Sequence, residues 1–394
     1  MKSSSPQTLE FPETNGAGRK RYKVLHLATY AVPHVGGVEH HMHTLCKALA
    51  EHMDVSELGG GGPRLRSAKQ VIDGISVTQL ATPFTIRSAT ICPEIPLAIR
   101  SSKADLVHLH MPNPFGAVAY LGSGHRGPMI VTWHFDVVRQ RAMNQVFKHL
   151  FNRVLDRASA VVTTSPNLIR SSERLRTRSE RVRVIPYGID YASLSRPCAA
   201  EVEKLRRRYG QRILLGVGRL IYYKGWRYLL SAMPRIDANL LIVGEGPLRE
   251  ELERQVQAEG IADKVHFLGE LTDLAALYQA CDVFVFPSIK GEAFGIVQIE
   301  AMAAGKPVVN TNLESGVPFV SRHEDSGLTV PPHDSESLVQ AINRLLDDPA
   351  LRHRFGMRGR TRVQSEFSIA AMKRATLKLY GEVLSDDSLA DQMS

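Results

Sequence analysis

The chain has few cysteines. Cys46, Cys92, Cys198 and Cys281 stand far apart, and no two form a C-x-x-C pair. That spacing excludes a disulfide framework and a cysteine zinc site, and it suits a reducing compartment. No apolar run approaches the ~18 residues that a membrane-spanning helix needs. The first twenty residues are polar and turn-rich and lack the apolar stretch of a secretion signal, so the expected location is the cytoplasm. Also missing are H-E-x-x-H, a D-x-D at any strand end, and a complete G-x-G-x-x-G. Gly216 and Gly218 lack the third glycine of that fingerprint, as do Gly244 and Gly246. These absences argue against a metal centre and against a nicotinamide dinucleotide fold.

What is present is an ordinary globular composition, 43% hydrophobic and 23% charged over 394 residues, enough for two or three domains. The charge is unevenly placed. Between Val138 and Arg183 eleven basic residues face three acidic ones, a local +8 in a chain of net +9. Such a stretch makes a positive field for an anionic lipid surface, a lipid-linked phosphate or nucleic acid, although a solvated helix face has the same composition.

Short apolar runs alternate with helical patterns from end to end. The first series is Tyr22–Ala28, Leu106–His110, Met129–Trp133, Ala160–Thr164 and Val182–Pro186. The second is Ile213–Val217, Leu240–Val243, Val265–Leu268, Val283–Phe286 and Val308–Asn310. Runs apolar at every position are strands covered on both faces, and their alternation with helices implies parallel sheets. The pattern predicts an α/β protein of two doubly wound domains joined near Ile189–Arg206. Gly59–Gly62 reads as a flexible surface loop. Phe367–Leu384 reads as a helix with Ala371, Ala375, Leu379 and Tyr380 on one face.

Chemistry concentrates at four places. Gly36 and Gly37 follow the first strand and open a helix with the apolar stripe Val38, Met42, Leu45 and Leu49; such a turn lets a phosphate approach backbone N–H groups. Arg219 and Lys224 follow the strand Ile213–Val217, where two cations suit a leaving diphosphate. Glu292 follows the strand Val283–Phe286, and Glu300 is the single acid of a helix otherwise apolar almost all round. A carboxylate there is costly unless hydroxyls, amides or a ligand satisfy it. The stretch Phe294–Ile296 offers free amides at that helix start. His108 and His110 share a strand face, His40 and His43 a helix face, and His134 follows a strand with Asp136 two residues on. Core or pocket histidines fit these spacings better than a metal site, and His134 is the pocket candidate.

Together these stretches resemble the retaining glycosyltransferases of family 4, which have the GT-B fold. The resemblance runs from about Tyr22 to about Tyr380 and rests on an ordered set of motifs. These are Gly36, Gly37 and Glu39; Thr132-Trp-His-Phe-Asp136; Val184-Ile-Pro-Tyr-Gly-Ile-Asp190; Gly218-Arg-Leu with Lys224-Gly225; Phe267-Leu-Gly-Glu270; and the E-x7-E pair Glu292/Glu300.

The resemblance implies two Rossmann-like domains facing across a cleft: a disordered tail 1–20, an acceptor-binding domain 21–192, a nucleotide-sugar domain 193–366, and a helix in 367–394 returning to the first domain. It implies that Arg219 and Lys224 hold the donor diphosphate with the Gly36–Gly37 amides. Glu292 would bind donor sugar hydroxyls and Glu300 the ribose. Leu268, Gly269 and Leu271 would line the base pocket, the amides of Phe294, Gly295 and Ile296 would serve the donor, and His134 would lie beside the anomeric carbon. It further implies a metal-independent hexosyltransferase with no cofactor beyond its nucleotide diphosphate sugar.

Many relatives carry Gly-Gly-x-x-Glu where this chain has Leu313-Glu-Ser-Gly-Val-Pro-Phe319. That resembles a subgroup acting in bacterial polysaccharide or O-antigen assembly by mannosyl or rhamnosyl transfer, which favours GDP-mannose and a lipid-linked or saccharide acceptor. Residues 138–183 would then meet an anionic membrane surface at the inner face of the plasma membrane, with no nucleic acid involved. The rival activities are a sugar-nucleotide 2-epimerase of the same fold and, further off, an NAD-dependent dehydrogenase.

Overall fold

The structure is a computed structural model and describes residues 20–33, 36–63, 65–86, 89–136, 147–196 and 199–391. Nearly all of the expected tail 1–20, and residues 138–146 of the basic stretch, lie outside the described residues. Contacts divide the chain into two compact units. The first takes in Met1–Trp133, Gln140–Val162 and Lys373–Ser394; the second takes in His134–Arg139 and Thr163–Met372. Residues after Val162 thus fall with the second unit well before position 192. There the Ile189 N–H donates to the Phe367 carbonyl at 2.9 Å and the Ile369 N–H returns a bond to Ile189 at 3.3 Å.

Seven strands of the first unit lie in one sheet: β1 (Lys23–Tyr30), β2 (Asp54–Gly62), β3 (Ala68–Ile72), β4 (Ile75–Ala81), β5 (Leu106–Met111), β6 (Met129–Trp133) and β7 (Ala160–Thr163). Their order is β7-β6-β5-β1-β2-β4-β3. Pairing is parallel except between β3 and β4. The chain enters at the centre, with β2 on one side of β1 and β5 on the other, so the winding reverses beside β1. The helix Gly37–Leu49 follows β1 and buries Met42, Leu45, Cys46 and Leu49.

Gly59–Gly62 is not a surface loop. It is the end of β2, paired in parallel with β1 and β4. A Cβ at Gly59 would lie 2.5 Å from the Tyr30 carbonyl carbon and 2.6 Å from the Ala31 nitrogen. These glycines serve close backbone approach rather than flexibility, and composition alone does not separate the two uses.

Every residue of β5 is buried, including His108 and His110. The buried imidazoles form one hydrogen-bonded network. His26 Nδ1 lies 3.0 Å from His110 Nε2, and the Tyr380 hydroxyl lies 2.6 Å from His108 Nδ1 and 3.2 Å from His26 Nε2. His108 Nε2 reaches Thr132 Oγ1 at 2.6 Å. The helix Ile369–Leu384 supplies the tyrosine, so its last turns are fastened to the first sheet through polar groups that sit out of water. Burial lowers the His26 pKa from 6.5 to about 3, which keeps that ring neutral.

The second unit carries β8 (Ile213–Val217), β9 (Asn239–Val243), β10 (Val265–Phe267), β11 (Val283–Phe286), β12 (Val308–Thr311) and β13 (Gly327–Val330) in the order β10-β9-β8-β11-β12-β13. All pairs are parallel. One apolar layer, including Trp226, Leu229, Leu240 and Phe355, covers one set of strand residues; another, including Tyr278, Phe284, Phe294 and Ile299, covers the alternate set. That two-sided cover is why Ile213–Val217 and Val283–Phe286 are apolar at every position.

Tyr380→Phe removes the shared hydroxyl and strands two buried ring nitrogens. It should cost about 1–3 kcal/mol of stability, read as a lower urea midpoint. His26 binds a proton less readily folded than unfolded, so stability falls as pH drops from 6.5 towards about 3. Tyr380→Phe should lose stability over the same interval, because burial, which the substitution keeps, causes that shift.

Candidate active site

In the second unit the winding reverses between β8 and β11, and ligands of open parallel sheets bind where the strand order turns, outside the carboxyl ends. The loops leaving those two strands carry the charged residues singled out above. They are locked together. Gly225 has φ +73°, and a Cβ there would come within 1.9 Å of the Pro287 carbonyl oxygen, so only glycine fits. The Ile289 N–H donates to the Tyr223 carbonyl at 2.8 Å.

This brings Lys224 from the β8 loop onto Glu292 from the β11 loop. Lys224 Nζ lies 2.5 Å from Glu292 Oε2, both side chains about one-sixth exposed, and 5.0 Å from the centre of the Phe286 ring. Arg219 presents an exposed guanidinium, while its backbone carbonyl accepts from Trp226 Nε1 at 3.0 Å. A cation and an acid thus meet at the switch point.

Glu300 lies in the helix Ile296–Ala303, where burial raises its pKa and the hydrogen bond from Tyr278 opposes the rise. The Tyr278 hydroxyl donates to Glu300 Oε2 at 2.6 Å. Its own pKa stands well above 10, through burial first and the nearby Glu300 charge second, so it remains a donor. Gly295 caps the helix at φ +82°, a left-handed turn with the Phe286 ring 2.9 Å from where a Cβ would stand. Amides at the start of an α-helix have no carbonyl four residues back to meet, and here the Gln298 N–H turns to the Gly295 carbonyl at 2.9 Å. The buried Gln298 braces this turn, donating to the Phe294 carbonyl at 3.0 Å and accepting from Asn310 Nδ2 at 2.9 Å.

Leu268, Gly269 and Leu271 follow β10 at the same sheet edge. The Leu268 N–H donates to Ile242 at 2.8 Å, the Gly269 carbonyl accepts from Gly244 at 2.7 Å, and Leu271 is exposed. His134 is buried in the second unit with Nδ1 2.6 Å from the Tyr187 hydroxyl, and burial lowers its pKa to about 3. Asp136 lies 3.7 Å from Arg174.

Gly36 and Gly37 lie in the first unit, at the start of the helix that follows β1. Gly36 is extended (φ −170°), and a Cβ there would come 2.2 Å from Glu39 Oε2. Among the described residues, His26, His108 and His110 bring ligand nitrogens within 4.8 Å of one another. A metal ion could bridge that spacing, yet nitrogens of all three rings are engaged in the hydrogen bonds described above. No described helix is long and apolar enough to cross a membrane.

Two Rossmann-like units, the second with a cation and acids gathered at its switch point, define a GT-B glycosyltransferase. The comparisons agree. Residues 35–193 match the model of Glycosyltransferase Family 4, and residues 199–362 match that of Glycosyl transferases group 1. The chain is 30% identical to the O-antigen chain mannosyltransferase C of Escherichia coli, over 93% of this chain and 100% of that one. It is 35% identical to the D-rhamnosyltransferase WbpZ of Pseudomonas aeruginosa, over 68% and 71%. Among solved structures, sucrose-phosphate synthase from Thermosynechococcus elongatus superposes with a TM-score of 0.79 at 26% identity, over 93% and 100%. The chain belongs to glycosyltransferase family 4.

Sequence reasoning did not single out Tyr278, Gln298 or Asn310. It quoted Tyr187 inside a motif without giving it a task, and it missed His26 as a partner of His108 and His110. The motif Val184–Asp190 was the one signal available for Tyr187; nothing local marks the others.

Proposed function

We propose that this glycosyltransferase is a retaining, metal-independent hexosyltransferase. It moves a hexose from a nucleotide diphosphate sugar, with GDP-mannose favoured, to a lipid-linked or saccharide acceptor in cell-surface polysaccharide synthesis. The observation that carries the reading is the pairing of Lys224 with Glu292 across the switch point. It puts a diphosphate-binding cation beside a hydroxyl-binding acid, the order in which a nucleotide diphosphate sugar presents its groups. The mannosyl- and rhamnosyltransferase relatives support the choice of donor class and pathway.

In this reading Arg219 and Lys224 hold the diphosphate, and Gly36–Gly37 forms the phosphate-facing turn of the first unit. Glu292 takes hydroxyls of the donor sugar. Glu300, with Tyr278 behind it, takes the ribose. Leu268, Gly269 and Leu271 line the base, the Phe294–Ile296 amides face the donor, and His134 serves the reacting carbon. As the bond from the anomeric carbon to the phosphate oxygen breaks, negative charge gathers on the diphosphate and positive charge on the ring. Fixed cations and amides stabilise the former without reorganisation. The acceptor oxygen bonds the anomeric carbon from the face the diphosphate leaves, and its proton passes to the leaving phosphate oxygen. No metal is required by that step, and no cofactor. The work is cytoplasmic, at the inner face of the membrane, with residues 138–183 against anionic lipid.

A melting screen against UDP, GDP, ADP, their sugar conjugates and NAD tests the assignment. One nucleotide diphosphate at ~100 times its dissociation constant should add about 2.7 kcal/mol; a shift by NAD alone overturns the reading. Glu292→Ala should cut turnover at least tenfold while the fold stays intact, and wild-type transfer by that variant removes the sugar-site role. Surface cations contribute ~1 kcal/mol each near anionic lipid, so the protein should co-sediment with anionic but not neutral liposomes.

A further inference from the structure

The carboxylate of Glu300 is held from a different helix. The helix Ala275–Ala280 follows the loop Leu268–Leu271 and brings Tyr278 to the helix Ile296–Ala303. Tyr278 is fully buried, whereas Glu300 is half-buried. The tyrosine hydroxyl donates to Glu300 Oε2 at 2.6 Å. Its ring lies against Phe284 of β11, with centroids 5.7 Å apart. Its own backbone is fixed as well: the N–H donates to the Leu274 carbonyl at 2.9 Å, and the carbonyl accepts from the Cys281 thiol at 3.3 Å. Asp273 caps the start of the helix through the Ala275 N–H at 3.0 Å. Lys306, just beyond the helix of Glu300, reaches the Gln279 carbonyl at 2.8 Å. Two side-chain bonds therefore tie the two helices together, and one of them ends on the carboxylate.

We propose that Tyr278 is a positioning residue for the ribose of the donor nucleotide: its hydroxyl pins Glu300 Oε2 and so sets Oε1 to accept the ribose hydroxyls. The proposal rests on the transferase reading, in which Glu300 takes the ribose. A glutamate side chain has several free torsions, and a ligand that must order it loses affinity by that cost. Here the ordering is done before the ligand arrives, by a ring that is itself enclosed. The length of the bond is that of a hydroxyl on an ionised carboxylate. Burial raises the Glu300 pKa, and the hydrogen bond from Tyr278 opposes the rise, so the tyrosine favours the form that only accepts. A ribose offers hydroxyl donors to that form, and a carboxylate has room for both partners because each oxygen accepts in its own right. Tyr278 acts through Glu300 and needs no contact with the ligand. Since its helix follows Leu268–Leu271, it also couples the ribose acid to the segment assigned to the base.

The test measures dissociation constants of the full chain for GDP, UDP and ADP and for the dideoxyribose counterpart of each, which keeps base and diphosphate but lacks the ribose hydroxyls. The wild type should bind one diphosphate roughly tenfold more tightly than its dideoxy form. Tyr278→Phe keeps the ring on Phe284 and loses only the hydroxyl. It should bind that diphosphate roughly tenfold more weakly, and the dideoxy form as the wild type does. In transfer, the KM for the matching nucleotide sugar should rise by the same factor, and kcat should fall by less. Added to Glu300→Ala, Tyr278→Phe should cost no further affinity, because the two side chains act as one unit. A Tyr278→Phe variant with wild-type affinity for the diphosphate overturns the proposal. So does equal weakening towards both forms, which marks a purely structural role. If Tyr278→Phe does not fold, fluorotyrosine in place of Tyr278 keeps the hydroxyl and carries the test. Its fluorine signal should move further with the diphosphate than with the dideoxy form, and equal movement overturns the proposal. A wild type that binds one diphosphate and its dideoxy form alike removes the ribose role of Glu300, and the proposal with it. Binding of none of the three removes the transferase reading itself.

Discussion

The approach of Gly225 to the Pro287 carbonyl is the contact on which the second unit's site depends. A side chain at position 225 would need the space that the carbonyl oxygen already fills, 1.9 Å from where its Cβ would stand. Two loops that leave neighbouring strands, 62 positions apart in sequence, are thereby fused into one piece of backbone. Everything charged in the site hangs from that piece. Lys224 precedes the glycine, Glu292 follows the proline, and Phe286 lies beneath the ammonium. With both side chains about one-sixth exposed, the attraction of the pair is set against the cost of taking two charges out of water, and the net stability is small. Its worth lies in placement, since two groups of opposite sign are held together at the switch point of the sheet.

Much of this was legible in the residues. The strands announce themselves because both faces of each sheet are covered, leaving no polar face to blur the pattern. Glu300 is conspicuous because a lone acid in an apolar helix needs a partner, and Arg219, Lys224 and Glu292 are conspicuous because they stand at strand ends. Legibility stops where the partner is distant in sequence or where one residue type has two uses. Glu300 showed that something must satisfy it; that this is Tyr278, from the helix before β11, depends on how β8, β11 and the flanking helices stack. Gly59–Gly62 looked like a flexible surface loop because glycine serves flexibility and tight packing equally well, and only the neighbouring backbone at Tyr30 and Ala31 decides between them.

Histidine shows the same divide. His26 and His134 are both held neutral by burial, each with a pKa lowered to about 3; the sequence marks His134 by its place after a strand and leaves His26 unmarked. Their partners differ as well. His26 is enclosed by other imidazoles and Tyr380, all of them engaged with one another, so its chemistry is spent on packing. His134 meets Tyr187, whose ring also touches Phe294 in the loop of Glu292. Burial sets the charge state of both rings, and the next side chain along sets what each ring is for.

The first unit is not continuous in the chain, and its polar core is closed by a tyrosine 272 residues after His108 and 354 after His26. Synthesis on the ribosome runs from the amino end, and units fold as their residues become available. The second unit, complete by Met372, has all its strands before the first unit has received Tyr380. Until then the three buried imidazoles lack the hydroxyl that two of them share. The first unit is therefore the last to receive all of its residues, since the second is complete at Met372 and Tyr380 comes eight positions later.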